Sequence, residues 1–328
     1  MLGNGRFQPK VKRKGVTMTY KILISDKLGQ AGLDRLAEMD DVSYDMIVGM
    51  SKEQLIATIP DYDALIVRSD TRPDAEIIAA GKNLKVIGRA GIGVDNVDIA
   101  AATAHGVMVM NTPRSNSVAT AEQTMALMLA ISRHTVAAHN SVAAGEWARA
   151  RFMGTELDGK TLGVIGFGYI GHLVARRAQA FGMKIVAYDP YVSDELEVKM
   201  VSLPELLAQA DIITLHSVVT PESTNMINAD AISKMKDGVI IVNVARGKLV
   251  DEQALAAALQ SGKVAAAALD VYQQEPPVGS PLIGLPNVIH TPHLGASSKE
   301  AQRRVGVEIV EQVVDALRGT DIRNVVNR

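Results

Sequence analysis

A chain of 328 residues, 47% hydrophobic and 21% charged, is long enough for two domains with sizeable cores and has the balance of a globular protein. A net charge of −2 argues against nucleic acid as the main partner. The absence of cysteine excludes disulfides, thiolate metal sites and cysteine nucleophiles, and fits a cytoplasmic protein.

No apolar run is long enough to span a bilayer, so no membrane partner is expected, and no metal either. Residues 1–18 stand apart. They carry Arg6, Lys10, Lys12, Arg13 and Lys14 with no acid, and lack the apolar core of a secretory signal. They are expected to be a disordered leader before an effective start at Met18; the other reading is a basic arm or targeting tail.

From Tyr20 strands and helices alternate. YKILISD reads as a strand, Ala31–Met39 as a helix, Val42–Ile47 as a strand and Lys52–Ile59 as a helix. Ala64–Val67 is a strand ending at Arg68-Ser69, and Ala75–Ala80 a helix. Lys85–Ile87 is a strand ending at Gly88-Arg89, Val97–Ala104 a helix and Val107–Met110 a strand. The alternation argues a parallel sheet with covered faces. Arg68-Ser69 and Arg89-Ala-Gly91-Ile92-Gly93 each follow an apolar strand, and glycines beside an arginine suit an anionic group. A turn with an exposed arginine explains either loop equally well. Ser117–Trp147 reads as one or two long packing helices, with Met125, Met128 and Leu129 in an apolar stripe.

The next stretch, KTLGVIGFGYIGHLVARRAQAFGMKIVAYD, organises the rest of the chain. Leu162–Ile165 is a strand, Gly166-Phe-Gly168-Tyr169-Ile170-Gly171 a G-x-G-x-x-G, and Leu173, Val174, Ala178 and Phe181 an apolar helix face. Lys184–Tyr188 is a second strand, closed by Asp189 and Pro190. Gly166 allows the tight turn, Gly168 lets backbone approach a pyrophosphate, and Gly171 lets helix and strand pack closely. The helix N-terminus would hold the phosphates. Asp189, about 20 residues beyond the loop, would accept the ribose hydroxyls and repel a 2′-phosphate, favouring NAD.

The alternation resumes with a helix at Leu203–Ala208, a strand at Asp211–Leu215 and a helix near Asp230–Met235. Then come a strand at Val239–Val244, a helix at Glu252–Leu259, strands at Val264–Leu269 and Val288–Ile289, and a long helix from Ser297 to about Leu317. Ligands of open parallel sheets bind outside the carboxyl ends of the strands. Those ends carry His216-Ser217, Ala245-Arg246-Gly247, Asp270 and His293-Leu-Gly295. Oxidising an alcohol with a nicotinamide needs a base, and a histidine of pKa about 6.5 suits best. His293 sits best, with His216 second; His290 is expected inside the last strand, facing the core or a neighbour. Glu275, stiffened by the prolines after it, is available to orient a histidine, although spacing alone reads it as a solvated loop acid. Arg246 offers a bidentate clamp for a carboxylate.

Gly166-x-Gly168-x-x-Gly171, Asn243-Val244-Ala245-Arg246-Gly247, Asp270-Val-Tyr-Gln-Gln-Glu275-Pro-Pro and Pro292-His293-Leu-Gly295-Ala296 together resemble the D-2-hydroxyacid dehydrogenases. Within that family, Val67-Arg68-Ser69, the run from Gly88 to Asn96, Asn111-Thr112-Pro113 and Phe152-Met-Gly-Thr-Glu-Leu look most like the branch that oxidises D-3-phosphoglycerate in serine synthesis. The resemblance covers nearly everything from Tyr20 onward. It implies an α/β fold of two Rossmann-like, doubly wound parallel-sheet domains. The substrate domain would be discontinuous, residues 19–116 plus 298–328, around an NAD-binding domain at 117–297.

It also implies roles. Arg246 would bind the substrate carboxylate and carbonyl, with His293 as general acid/base and Glu275 as its partner. Gly166, Gly168, Tyr169, Ile170, Gly171, Asp189 and Pro190 would hold the nucleotide. His216, Ser217, Val244, Ala245, Asp270, Gly295 and Ile92 would line the nicotinamide side; relatives often carry threonine where Ile92 stands. Arg68, Ser69, Arg89, Gly91 and Gly93 would meet the substrate, the arginines its phosphate. Arg149 would reach a neighbouring subunit's site, in a homodimer or homotetramer. The sequence ends at Arg328, so the C-terminal serine-binding domain of many relatives, and feedback through it, is not expected. The alternatives are a glyoxylate/hydroxypyruvate or other 2-oxoacid reductase and, more remotely, an NAD(H)-sensing protein of the co-repressor kind.

Overall fold

The computed structural model describes residues 20–192 and 198–328, so the basic leader lies outside the described residues. The chain forms two compact units, one comprising the chain up to Asn116 with Ala296–Arg328, the other Ser117–Gly295. The return to the first unit thus falls at Ala296 rather than at residue 298.

The first unit runs β1 (Tyr20–Ile24), α1 (Gln30–Ala37), β2 (Val42–Met46), α2 (Lys52–Thr58), β3 (Ala64–Val67), α3 (Ala75–Ala80), β4 (Val86–Arg89), α4 (Ile99–Ala104) and β5 (Met108–Asn111). The second holds α5 (Ser117–Ser132), α6 (Thr135–Ala143), β6 (Thr161–Ile165), α7 (Tyr169–Ala180), β7 (Lys184–Tyr188), β8 (Lys199–Met200), α8 (Leu203–Gln209), β9 (Ile212–Leu215), α9 (Ala229–Ser233), β10 (Val239–Asn243), α10 (Glu252–Ser261), β11 (Val264–Leu269) and β12 (Val288–His290). Helix α11 (Lys299–Arg318) completes the first unit.

Both sheets are wholly parallel. The first has the order β2-β1-β3-β4-β5 and the second β12-β11-β10-β9-β6-β7-β8. In the second, the order reverses between β6 and β9, the switch point at which doubly wound folds take their ligands. β3, the run ALIV, is buried at every position, as a strand covered on both faces must be. In the first sheet one face packs Ile22, Ile24, Ile66 and Val86 against Leu33 and Leu36 of α1 and Val305, Ile309 and Val313 of α11. The other packs Leu23, Leu65 and Ile87 against α2, α3 and α4. In the second unit α8, α9 and α10 cover one face and α5 with α7 the other.

Local chemistry sets the boundaries. Ser51 with Gln54, and Ser202 with Glu205, form capping boxes that start α2 and α8. α11 begins at Lys299, two residues later than the sequence suggests, because Ser298 is the N-cap and accepts the Ala301 N–H. The stretch from Ser117 resolves into two helices, since His134 adopts a left-handed backbone at φ 54° that α5 cannot pass through. Trp147 lies beyond both, and Arg149 sits exposed in a 3-10 turn, Arg149–Phe152. Strand β8 is too short to carry a hydrophobic period, so pattern alone does not find it.

Candidate active site

The loop between β6 and α7 has the geometry of a phosphate cradle. Gly166 sits at φ 90°, and a Cβ there would stand 2.6 Å from the His216 carbonyl carbon and the Ser217 nitrogen. A Cβ at Gly171 would stand 2.4 Å from the Gly166 oxygen, so glycine is what lets α7 start against its own loop. Gly168 differs. Its φ of −78° suits any residue and, among the described residues, a Cβ would meet nothing within 4 Å beyond its chain neighbours, so these make no demand for glycine there. A pyrophosphate on the backbone N–H groups at the start of α7 would occupy that space, which fits a dinucleotide. Asp189 accepts the Phe167 N–H at 2.8 Å on Oδ2 and the Tyr191 N–H at 2.9 Å on Oδ1. It therefore ties the end of β7 to the glycine loop. Tyr169 is 49% exposed at the first turn of α7, Ile170 is half-buried beside it, and Pro190 is exposed.

The ends of β10, β11 and β12 bring Arg246, Glu275 and His293 onto one edge. Asn243, buried at the end of β10, accepts the Ala245 N–H at 3.0 Å and donates to the Arg246 carbonyl at 2.9 Å, fixing the turn that presents Arg246. The guanidinium Nη1 donates to the Ala245 carbonyl at 2.7 Å. His293 Nδ1 lies 2.8 Å from Glu275 Oε2, both side chains about two-fifths exposed, which leaves Nε2 to face a substrate. Partial burial pushes the Glu275 carboxyl up. The hydrogen bond and charge of His293, the Tyr272 N–H and the Arg246 charge outweigh it and hold Glu275 below the usual carboxylate range.

Asp270 departs from expectation. It is wholly buried: Oδ1 accepts the Leu294 N–H at 2.7 Å and the Thr291 hydroxyl at 2.6 Å, and Oδ2 the Gly295 N–H at 2.7 Å. It does not line an open face. It clamps the loop that carries His293, whose left-handed backbone at φ 54° costs about 1 kcal/mol. Gly295 and Val244 are buried with it; a Cβ at Gly295 would stand 3.0 Å from Val244 Cγ1. Ala245 is half-buried.

His216 is poorly suited to act as a base. Burial pushes its imidazole down to about 3, and Nε2 lies 3.0 Å from the Thr214 hydroxyl. It stays neutral beside Ser217, which the turn at Gly166 brings against the glycine loop. His290, at the end of β12, stacks on Tyr272 as the expectation of a core-facing histidine requires.

In the first unit the ends of β3 and β4 pair side by side, Val67 opposite Arg89. Arg89 Nη2 donates to Ser69 Oγ at 3.3 Å, and its guanidinium lies over Gly91, where a Cβ would stand 1.7 Å from Nη1. Arg68 donates through its backbone N–H to Asp26 Oδ2 at 2.5 Å, and Asn96 Nδ2 donates to the Arg68 carbonyl at 2.7 Å. Ile92 and Gly93 are half-buried, and the Ile92 carbonyl accepts Asn111 Nδ2 at 2.6 Å. Asp26 and Asn96 hold a loop far away in sequence, at Arg68, whereas Asn243 and Tyr272 act two or three residues on within their own turns; no pattern of residue types reveals either kind of support. A polar residue directly after an apolar strand, as Asp26 and Asn243 nearly are, is the one available signal.

Residues 125–295 match the model of the D-isomer specific 2-hydroxyacid dehydrogenase, NAD binding domain. Over 312 residues, 94% of this chain, the sequence is 49% identical to a D-3-phosphoglycerate dehydrogenase of Archaeoglobus fulgidus and covers 59% of that protein. The chain thus spans less than two thirds of that relative. Among solved structures, the TT0316 protein of Thermus thermophilus aligns with TM-score 0.87 and 38% identity, over 93% of this chain and 99% of that one. A glyoxylate reductase from Paecilomyes thermophila aligns with TM-score 0.87 and 34% identity, over 94% of this chain and 99% of that one. With a dinucleotide cradle, an arginine turn and a histidine–carboxylate pair built on the matched domain, the chain belongs to the D-isomer specific 2-hydroxyacid dehydrogenase family.

Proposed function

We propose that the chain catalyses the NAD-dependent oxidation of D-3-phosphoglycerate to 3-phosphohydroxypyruvate, and the reverse reduction. The observation that carries the chemistry is the 2.8 Å contact of His293 Nδ1 with Glu275 on the strand-end edge that also bears Arg246. Arg246 clamps the substrate carboxylate. His293 Nε2 takes the C2 hydroxyl proton as the carbonyl forms, and Glu275 holds the ring and stabilises the imidazolium. When bound, NAD accepts the hydride from C2. Gly168 and the start of α7 hold its pyrophosphate and Asp189 its adenine ribose, while Tyr169, Ile170 and Pro190 flank that half. Ser217 and Ala245 flank the nicotinamide half.

The phosphorylated substrate rests on Arg68 and Arg89, cations at adjacent strand ends beside Ser69, Gly91 and Gly93, which suit a phosphate better than a small neutral tail. The 49% identity to a D-3-phosphoglycerate dehydrogenase supports the same choice. On this reading we propose that the chain serves serine synthesis, and does so in the cytoplasm as a homodimer or homotetramer. Reduction of an unphosphorylated 2-oxoacid is the second reading, favoured by the 99% coverage of a glyoxylate reductase.

Absorbance of NADH decides between them, with 3-phosphoglycerate and NAD in one direction, and phosphohydroxypyruvate, hydroxypyruvate, glyoxylate and pyruvate with NADH in the other. Preference for the phosphorylated pair, lost in R89Q, establishes the proposal. Preference for glyoxylate or hydroxypyruvate refutes the substrate and keeps the chemistry. NADH binding without turnover on any acid refutes the enzymatic reading.

A further inference from the structure

Tyr272 stands between Asp270 and Glu275 in the loop that leaves β11, and its backbone touches both halves of the proposed catalytic apparatus. Its N–H donates to Glu275 Oε1 at 3.2 Å, on the carboxylate whose other oxygen meets His293. On its other side lies the arginine turn. A Cβ at Gly247 would stand 1.8 Å from the Tyr272 carbonyl carbon and 2.4 Å from the Gln273 nitrogen, so the residue after Arg246 rests directly on the Tyr272 peptide. The neighbouring Gln273 is fixed as well, its N–H donating to Glu252 at 2.8 Å and its Nε2 to the Val250 carbonyl at 2.7 Å.

The Tyr272 ring anchors this peptide. It is buried, with Oη 3.2 Å from the Leu269 carbonyl and 3.1 Å from His290 Nδ1. His290 lies opposite Leu269 on the neighbouring strand, and its ring stacks on the phenol with centroids 6.0 Å apart and planes at 26°. A phenol has one proton to give. Both contacts are satisfied when it donates to the Leu269 carbonyl and accepts the Nδ1–H of a neutral His290. Burial holds the His290 imidazole below its ordinary range, against the Leu282 carbonyl, so it is neutral at pH 7. Burial, with the charges of Asp270, Glu252 and Glu275, pushes the Tyr272 phenol up to about 12, so it keeps its proton.

We propose that Tyr272, anchored by His290, is a positioning residue that sets the Arg246 turn and the Glu275–His293 pair at their working separation. The inference rests on the enzymatic reading above for its catalytic consequence, and on geometry alone for its structural one. A phenylalanine ring keeps the buried volume and stacking but not the hydrogen bonds, so the peptide loses its lock while the core stays filled.

The test compares wild type, Y272F, H290L and H290N, whose amide nitrogen replaces Nδ1. The benchmark is E275Q. In protein labelled with 15N at histidine, the His293 signals are assigned by loss in H293Q. The downfield Nδ1–H proton of His293 reports its bond to Glu275. It is expected to persist in wild type and H290N, and to move upfield or broaden in Y272F and H290L toward its state in E275Q. On the acid that wild type reduces fastest, Y272F and H290L are expected to lose about tenfold in kcat/KM, with the Kd for NADH unchanged and H290N near wild type. A His293 signal identical in wild type, Y272F and H290L overturns the proposal. So does an activity loss that tracks only a lower melting temperature. If wild type reduces no 2-oxoacid, the enzymatic reading falls, and the His293 signal still decides whether Tyr272 positions the pair.

Discussion

Replacing Gly168 by alanine separates what the fold requires from what a ligand requires. The backbone there has φ −78°, which alanine adopts freely, and among the described residues a Cβ would meet nothing within 4 Å beyond its chain neighbours. The change costs the folded state less than about 1 kcal/mol, since the lost freedom of the unfolded chain offsets a weaker N-cap. In a domain of this size that moves the melting temperature by less than about 4 °C. A pyrophosphate oxygen near 2.9 Å from a loop N–H cannot stay there beside a new methyl, which needs about 3.5 Å. Breaking one charge-assisted bond, about 1.5–3 kcal/mol, weakens NADH by about 10- to 150-fold. G171A is the contrast. Its Cβ would stand 2.4 Å from the Gly166 oxygen, so the loop itself must move and the melting temperature falls by more than in G168A. Fluorescence titration of NADH and calorimetry on both variants give the answer. G168A with wild-type affinity, or G168A melting as low as G171A, refutes the assignment of the space above Gly168 to the pyrophosphate.

E275Q is expected to lower kcat/KM about a hundredfold without changing the Kd for NADH, as read by steady-state kinetics and titration. Because the folded Glu275 carboxyl lies below its ordinary range, its ionised form is favoured by the fold; the stability it contributes is present above the unfolded value of about 4.3 and is lost as pH falls through the lower folded value. E275Q should therefore flatten that part of the acid unfolding curve. R246K keeps the charge but loses the planar fork, so KM for the 2-oxoacid rises by about tenfold or more while NADH binding holds. His216 behaves oppositely to a surface histidine. With its folded value near 3 against about 6.5 unfolded, the unfolded chain binds the extra proton, so stability falls as pH drops from about 6.5 toward 3. Its ring resonances should not titrate between about pH 5 and 8.

The parts of this site that are legible in the sequence are those where local chemistry and position coincide. Gly166, Gly168 and Gly171 announce themselves because a strand, a turn and a helix must meet there. Arg246 and His293 do so because a parallel sheet puts strand ends on one edge. The rest depends on partners brought together by folding. Asp270 reads as a ligand-facing acid from its place at the end of β11, yet loop residues 291–295 fold back and take both its oxygens. Asn243 and Asp26 read as ordinary polar residues until the turns they hold are in place. His134 sits in an apolar helical pattern and breaks it through its backbone, which periodicity does not register. Glu275 is ordinary by spacing, and its contacts with His293 and the Tyr272 N–H are what distinguish it from a solvated acid.

The order of the chain has a consequence for its synthesis. The first sheet is complete by Asn111, but one of its faces is covered by Val305, Ile309, Val310, Val313 and Val314 of α11. Each of these burials stabilises by about 1.5–3 kcal/mol, so the early sheet emerges from the ribosome with an apolar face that α1 alone covers in part, and without much of the energy that holds it. The intervening unit is continuous and holds its own strands, helices and cores, so it can close while α11 is still being translated. The nascent chain therefore matures from its middle outward, and its first-made strands are the ones that need protection from aggregation longest.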